Sequence, residues 1–204
     1  MDKPHSLVAH HFEDMDQQRE AGALGMWAFL VTEIMFFGGV FAGYAIYHHM
    51  YPEAFGEASK TLSVVLGATN TAVLICSSLT MAFAVRSAQM NRRKQLVGFL
   101  VLTILLGSVF LGIKAVEYVH KFHEHHVPGA SFVFDGPHSG GAQMFFSFYF
   151  AMTGLHALHM IIGVGLMIWL IVKAQRGRFS SEYHAPVEMA GLYWHFVDIV
   201  WVFL

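Results

Sequence analysis

The stretch "TLSVVLGATNTAVLICSSLTMAFAV" (residues 61–85) contains no Asp, Glu, Lys or Arg. At roughly 1.5 Å of rise per residue, a helical run of this length crosses the ~30 Å of a bilayer's hydrocarbon core. Inside lipid every backbone N–H and C=O must be satisfied within the protein, which a helix does by itself and a lone strand cannot. The stretch therefore reads as a transmembrane helix. Charge returns at its borders, with Lys60 before it and "RSAQMNRRK" (86–94) after it.

The same pattern repeats on both sides. Residues 22–47 are apolar with one charge, Glu33; residues 96–113 are uncharged and run into Lys114 and Glu117; residues 142–172 lack Asp, Glu, Lys and Arg. A last run covers 185–204. The sequence predicts an all-α fold, a polytopic membrane bundle with five transmembrane helices over about 22–47, 61–85, 96–118, 142–172 and 185–204. Residues 1–20 are expected to form a polar, acidic tail, with or without an interfacial helix, and residues 21–204 a single transmembrane domain. Pro52 and Gly56 mark a turn between the first two spans, and 119–141, rich in His, Gly and Pro, is the longest loop.

Composition agrees with this organisation. Of 204 residues 55% are hydrophobic and only 13% charged, and the mean hydropathy is +0.50, all far from a soluble domain. A net charge of −2 leaves no basic surplus for nucleic acid. The single cysteine, Cys76, excludes an internal disulfide and a cysteine zinc site. The first twenty residues lack the apolar core of a cleavable signal peptide. With five spans, nine of the twelve cations fall on the side of the N-terminus, the 86–94 loop and the 173–182 loop; the other side holds Lys60, Lys114 and Lys121. Positive loops stay inside, so the N-terminus is expected in the cytoplasm and the C-terminus outside.

Ionisable groups inside spans are costly and carry the functional reading. Glu33, in "FLVTEIMFFGG", is either a proton-handling or lipid-head-group site, or a neutral acid bonded to a neighbouring helix. His156 and His159 in "TGLHALHM" share one helix face. They suit metal, a haem axial position, or hydrogen bonds between helices beside Gly154, Ala157 and Gly163. Asn70, with Thr71, Ser77, Ser78 and Thr80, suits an interhelical polar face. Glu188, His195 and Asp198 share a face of the last span, where the spacing of three favours a His195–Asp198 contact. His120, His123, His125 and His126 in "HKFHEHHVPG" read as a solvated outer loop ahead of a metal site. A phosphate-binding loop, a dinucleotide fingerprint and a Ser–His–Asp order are absent from the sequence.

Taken in order, these segments resemble subunit III of the haem–copper respiratory oxidases. "TEIMFFGGVFAGY" (32–44), "NTAVLICSSLT" (70–80), "GSVFLGIKAVEY" (107–118), "FFSFYFAMTGLHALHMIIG" (145–163) and "HAPVEMAGLYWHFVDIVW" (184–201) each resemble a family motif, the last being the most specific. The resemblance implies a supporting bundle beside subunit I, with subunit II in the same complex, and a role in sustaining proton uptake and protecting the catalytic core. It implies haem and copper in partner subunits, none in this chain, no metal or catalytic residue here, and bound phospholipid in a cleft with Glu33 and His184 taking part; Glu188 joins these two as a lipid-binding or proton-handling candidate. Longer members have seven helices, so this chain resembles the five-helix bacterial type of the plasma (inner) membrane. A subunit-III-like protein of nitric oxide reductase, a metal or proton transporter, and a membrane cytochrome are the competing readings.

Overall fold

The structure, a computed structural model, describes residues 12–129, 132–134, 138–179 and 183–204. Most of the acidic tail, residues 1–11, lies outside the described residues. Six helices and no strand are found among the described residues: α1 (Met15–Met50), α2 (Pro52–Ser59), α3 (Val64–Gln89), α4 (Arg93–His123), α5 (Ser139–Gln175) and α6 (Ala185–Phe203).

Helix ends follow local chemistry. Asp14 caps α1 by accepting from Gln17 N at 2.7 Å, and Gln17 Oε1 accepts from Glu13 N at 2.7 Å. The helix thus begins inside the stretch expected to be a tail. Ser63 caps α3. Pro52 opens α2 at a position whose N–H would be unused, so the turn expected around Pro52 and Gly56 is a short helix instead.

Among the described residues, α1, α3, α4 and α5 are long and apolar enough to cross a membrane. The last helix, α6, does not join that group: besides Glu188, His195 and Asp198 it carries Pro186, Tyr193, Trp194 and Trp201, whose rings are weakly hydropathic although they pack well in a bundle. It nevertheless packs on three helices, α1, α3 and α5, while α5 packs on α1, α2, α4 and α6. α3 and α4 form an antiparallel hairpin, and α2 folds back on α5.

Two apolar clusters result. The larger joins Leu74, Met81, Phe110, Met160, Trp194 and Val197 from α3 to α6. The smaller, around Phe55, Phe145 and Phe146, seats α2, whose Ala54 stands so close to Gly141 that a Cβ there would approach it to 2.5 Å. Trp194 is the wedge of the larger cluster. Its ring lies between Gly163 on α5 and Gly107 on α4, where added Cβ atoms would meet it at 2.8 and 2.9 Å. Small residues at such contacts let helices approach closely when lipid supplies no hydrophobic drive between them.

Candidate functional site

The polar side chains inside the bundle lie mostly at helix–helix contacts. Four hydrogen bonds join α3 to α6 along their length. Trp201 Nε1 donates to Thr71 Oγ1 at 3.2 Å, Trp194 Nε1 donates to Ser77 Oγ at 3.1 Å, Ser78 Oγ bonds His195 Nδ1 at 2.7 Å, and Gln89 Nε2 donates to Glu188 Oε1 at 2.6 Å. The partners descend on one helix as they rise on the other, so the helices run antiparallel in a fixed register. Thr80 and Thr103 add a 2.7 Å hydroxyl pair between α3 and α4.

This geometry corrects the expected His195–Asp198 contact. His195 turns to Ser78 on the neighbouring helix, and Asp198 makes no hydrogen bond to His195. Asn70 is buried with its amide unpartnered among the described residues. His156 is buried too, and instead of hydrogen bonding it packs against rings: Phe110 edge-on at 5.3 Å and Trp201 at 5.1 Å.

Glu33 and His159 meet across α1 and α5, with Oε2 and Nε2 3.1 Å apart. His159 Nδ1 lies 2.8 Å from the Leu155 carbonyl, which can only accept, so Nδ1 carries its hydrogen. The Glu33–His159 contact then holds one proton, on the carboxyl or on the ring. Tyr193 of α6 donates to the His159 carbonyl at 2.9 Å and closes the corner between three helices.

His184 precedes α6 and approaches Glu188 at 3.3 Å, while its Nδ1 is buried without a partner. Neither a hydrogen bond nor an ion pair joins His184–Glu188 to Glu33–His159 among the described residues. An apolar groove of about 450 Å³ opens instead between α1, α5 and α6, walled by Met26, Phe29, Leu166, Trp169, Met189 and Tyr193. A second, of about 490 Å³, runs between α3 and α6 past Ser78, His195 and Asp198.

One polar cluster was not anticipated from the sequence. Lys114 Nζ, buried at 6% exposure, donates to Glu117 Oε2 and Tyr149 Oη at 2.9 Å each, and Tyr149 donates to Glu117 Oε1 at 2.6 Å. The ammonium also faces the rings of Tyr149 and Trp201 at 4.9 and 5.3 Å. Tyr118 and Thr153 bond beside it. The three-residue spacing of Lys114 and Glu117 was a visible signal; the tyrosine on α5 was not.

A parallel arrangement sits seven residues, two helical turns, beyond. Lys121 donates to Glu124 at 2.7 Å and to the Thr61 carbonyl at 3.0 Å, and that ammonium holds the Glu124 carboxyl below its usual range. Glu124 also gathers His120 and His126 at 3.1 and 3.2 Å. His126 is tucked in rather than solvated, stacking on Phe146 at 4.9 Å. Among the described residues, no group of three His, Cys, Asp or Glu side chains is placed to hold a metal ion.

Comparison with known sequences adds a family. The sequence model described as "Cytochrome c oxidase subunit III" matches residues 9–204. Curated proteins named "Cytochrome c oxidase subunit 3" from Tetraodon nigroviridis and Gadus morhua are 36% identical to the chain over 188 residues, and one from Cyprinus carpio is 35% identical. Each alignment covers 88% of this chain and 66% of the relative, so the chain spans just under two thirds of their length.

Proposed function

The chain belongs to the cytochrome c oxidase subunit III family, and from that premise we propose that it is a non-catalytic membrane subunit of a proton-pumping haem–copper terminal oxidase. It packs beside subunit I, with subunit II in the same complex, and the haems and copper belong to those partners. The observation that carries this reading is the role of the chain's most distinctive segment. "YWHFVDIVW" (193–201) places Trp194, His195 and Trp201 in hydrogen bonds to α3, so its polar atoms brace helices against one another.

In this reading α6 is a fifth span. Its 19 residues reach roughly 28 Å at the usual helical rise, close to the hydrocarbon thickness, and its polar groups face other helices. The N-terminus is cytoplasmic and the C-terminus outside, in a bacterial plasma membrane. The positive-inside argument gains from the burial of Lys114 and Lys121, which withdraws both from the outer loops.

Phospholipid occupies the apolar groove between α1, α5 and α6; Glu33 lies one helical turn from the wall residue Phe29 and His184 two residues from the wall residue Pro186, while Glu188 turns to Gln89 of α3. An acyl chain matches that groove's walls. The role of the lipid-bearing bundle is to keep proton uptake into subunit I efficient and its core protected during turnover.

Gentle detergent purification of the tagged chain tests this, with an optical spectrum and identification of attached chains. A colourless isolated chain that retains a haem-bearing oxidase subunit supports the proposal. A haem spectrum in the isolated polypeptide, or ion transport by it alone in liposomes, overturns it.

A further inference from the structure

Four helices close a ring inside the bundle: α3 packs on α4 and α6, α5 packs on the same two, and α3 and α5 stand diagonally opposite. Trp194 marks one layer of the ring, against Ser77 of α3, Gly107 of α4 and Gly163 of α5. Seven residues along each helix, two turns or about 10.5 Å toward the same end, stand Asn70, Trp201, Lys114 and His156. Contacts confirm this second layer. The Trp201 ring lies 5.1 Å from that of His156 and 5.3 Å from Lys114 Nζ, and its Nε1 bonds Thr71, the neighbour of Asn70.

Two members of the layer are left without partners. Asn70 and His156 are each 1% exposed, yet neither amide atom of Asn70 and neither ring nitrogen of His156 has a hydrogen-bond partner among the described residues. Buried polar groups in that state are strongly disfavoured. Lys114 stands between them with a donor to offer, since Glu117 and Tyr149 take two of its three N–H groups.

Enclosure and charge narrow the ligand. Leu74, Phe110 and Met160 beside the layer are fully buried, which leaves no entrance for a lipid tail or a peptide. Glu117 already matches the Lys114 charge at 2.9 Å, so an anion finds no unpaired cation, and the ammonium repels a metal ion. Water suits the layer, because it donates as well as accepts and a buried molecule typically makes about three hydrogen bonds.

We propose that this layer binds ordered water. The water oxygen accepts the remaining Lys114 N–H, and its hydrogens go to Asn70 Oδ1 and to the acceptor nitrogen of the His156 imidazole. The Lys114–Glu117–Tyr149 bonds of α4 and α5 are thereby continued to α3, and one polar layer ties the ring together. The site belongs to the bundle itself and stands whichever complex the chain serves.

The test joins a density map of the full chain, at a resolution that shows ordered water, to a double-mutant cycle. Asn70→Leu and His156→Phe, singly and together, remove the polar atoms while keeping much of the shape, and unfolding by SDS in mixed micelles reads their stability. The map should show a peak at about 2.7–3.2 Å from both the Asn70 amide and the His156 ring. Each single variant should lower the folded-to-unfolded ratio by about 5- to 30-fold, because it strands the other side chain. The double variant should lose less than the product of the singles. A single variant as stable as the parent or more so overturns the proposal, because the polar atoms then stand in a dry core. Strictly multiplicative losses overturn it too. A map without the peak, or one in which Asn70 bonds His156 directly, overturns it whatever the variants do.

Discussion

A single methyl at Gly163 tests whether Trp194 is the clamp of the bundle. In Gly163→Ala the new Cβ would stand 2.8 Å from Cζ3 and 2.9 Å from Cε3 of Trp194, and 3.2 Å from Tyr193. The indole cannot retreat. Its far edge already lies 2.9 Å from the Cβ position of Gly107, and Nε1 is tied to Ser77 at 3.1 Å. Overpacking of this kind costs about 1–3 kcal/mol, while replacing Gly by Ala within a helix returns ~1 kcal/mol at most. The net expectation is a loss of up to about 2 kcal/mol, a folded-to-unfolded ratio smaller by as much as roughly 30-fold, and a gap of about 1–3 kcal/mol from a glycine replaced where there is space. Gly112→Ala is the control, since nothing lies within 4 Å of its Cβ position, and it should be neutral or slightly stabilising. Adding Trp194→Phe should relieve the clash, so the double variant loses less than the sum of the singles. Equilibrium unfolding by SDS in mixed micelles, followed by far-ultraviolet circular dichroism, reads all four variants. Strict additivity, or a Gly163→Ala stability equal to that of Gly112→Ala, would refute the clamp.

Lys114→Met should destabilise the bundle by about 3–5 kcal/mol by stranding Glu117, whereas Lys114→Met with Glu117→Gln should cost clearly less; the same unfolding assay decides, and equal losses would contradict the buried pair. Glu33→Ala removes the contact with His159 and should alter bound lipid or turnover lifetime while assembly and initial oxygen reduction survive; lipid analysis and oxygen consumption check this, and an immediate, complete loss of electron transfer in an assembled complex would count against a supporting role. Because the folded state lowers the Glu124 carboxyl below its ordinary 4.5, its contribution to stability is present above that value and is lost as pH falls through the lower, folded value. Hydrogen exchange near residues 120–126 should therefore rise only in that acid window, and Glu124→Gln should remove the transition.

Much of the bundle was legible from where charge is missing. The borders of α3, α4 and α5 fall within a few residues of Lys60, the 86–94 cations and the 173–178 cations, since charged side chains stop an apolar helix at the interface. α2 was not legible, because Pro52 and Gly56 give the same signals at a helix start as in a turn. α6 is the hardest helix to assign, since its hydropathy average is lowered by Glu188 and His195, which bond to α3. The site was legible only in part. Spacing along one helix suggested His195 with Asp198, yet the side chain that His195 finds is Ser78, 117 residues away and brought near by the α3–α6 register. Glu33 and His159 were each conspicuous, but their meeting depends on how α1 crosses α5. His126 looked solvated because nothing in its own loop announces Phe146.

The most direct test of a supporting, non-catalytic role compares the purified oxidase complex with and without this chain, recording oxygen consumption from the first turnover until activity fades. The account predicts that the complex lacking the chain begins at a substantial fraction of the full rate and then loses activity sooner, with re-addition of the chain restoring its lifetime. An initial rate of zero without the chain, or identical lifetimes with and without it, would contradict the account.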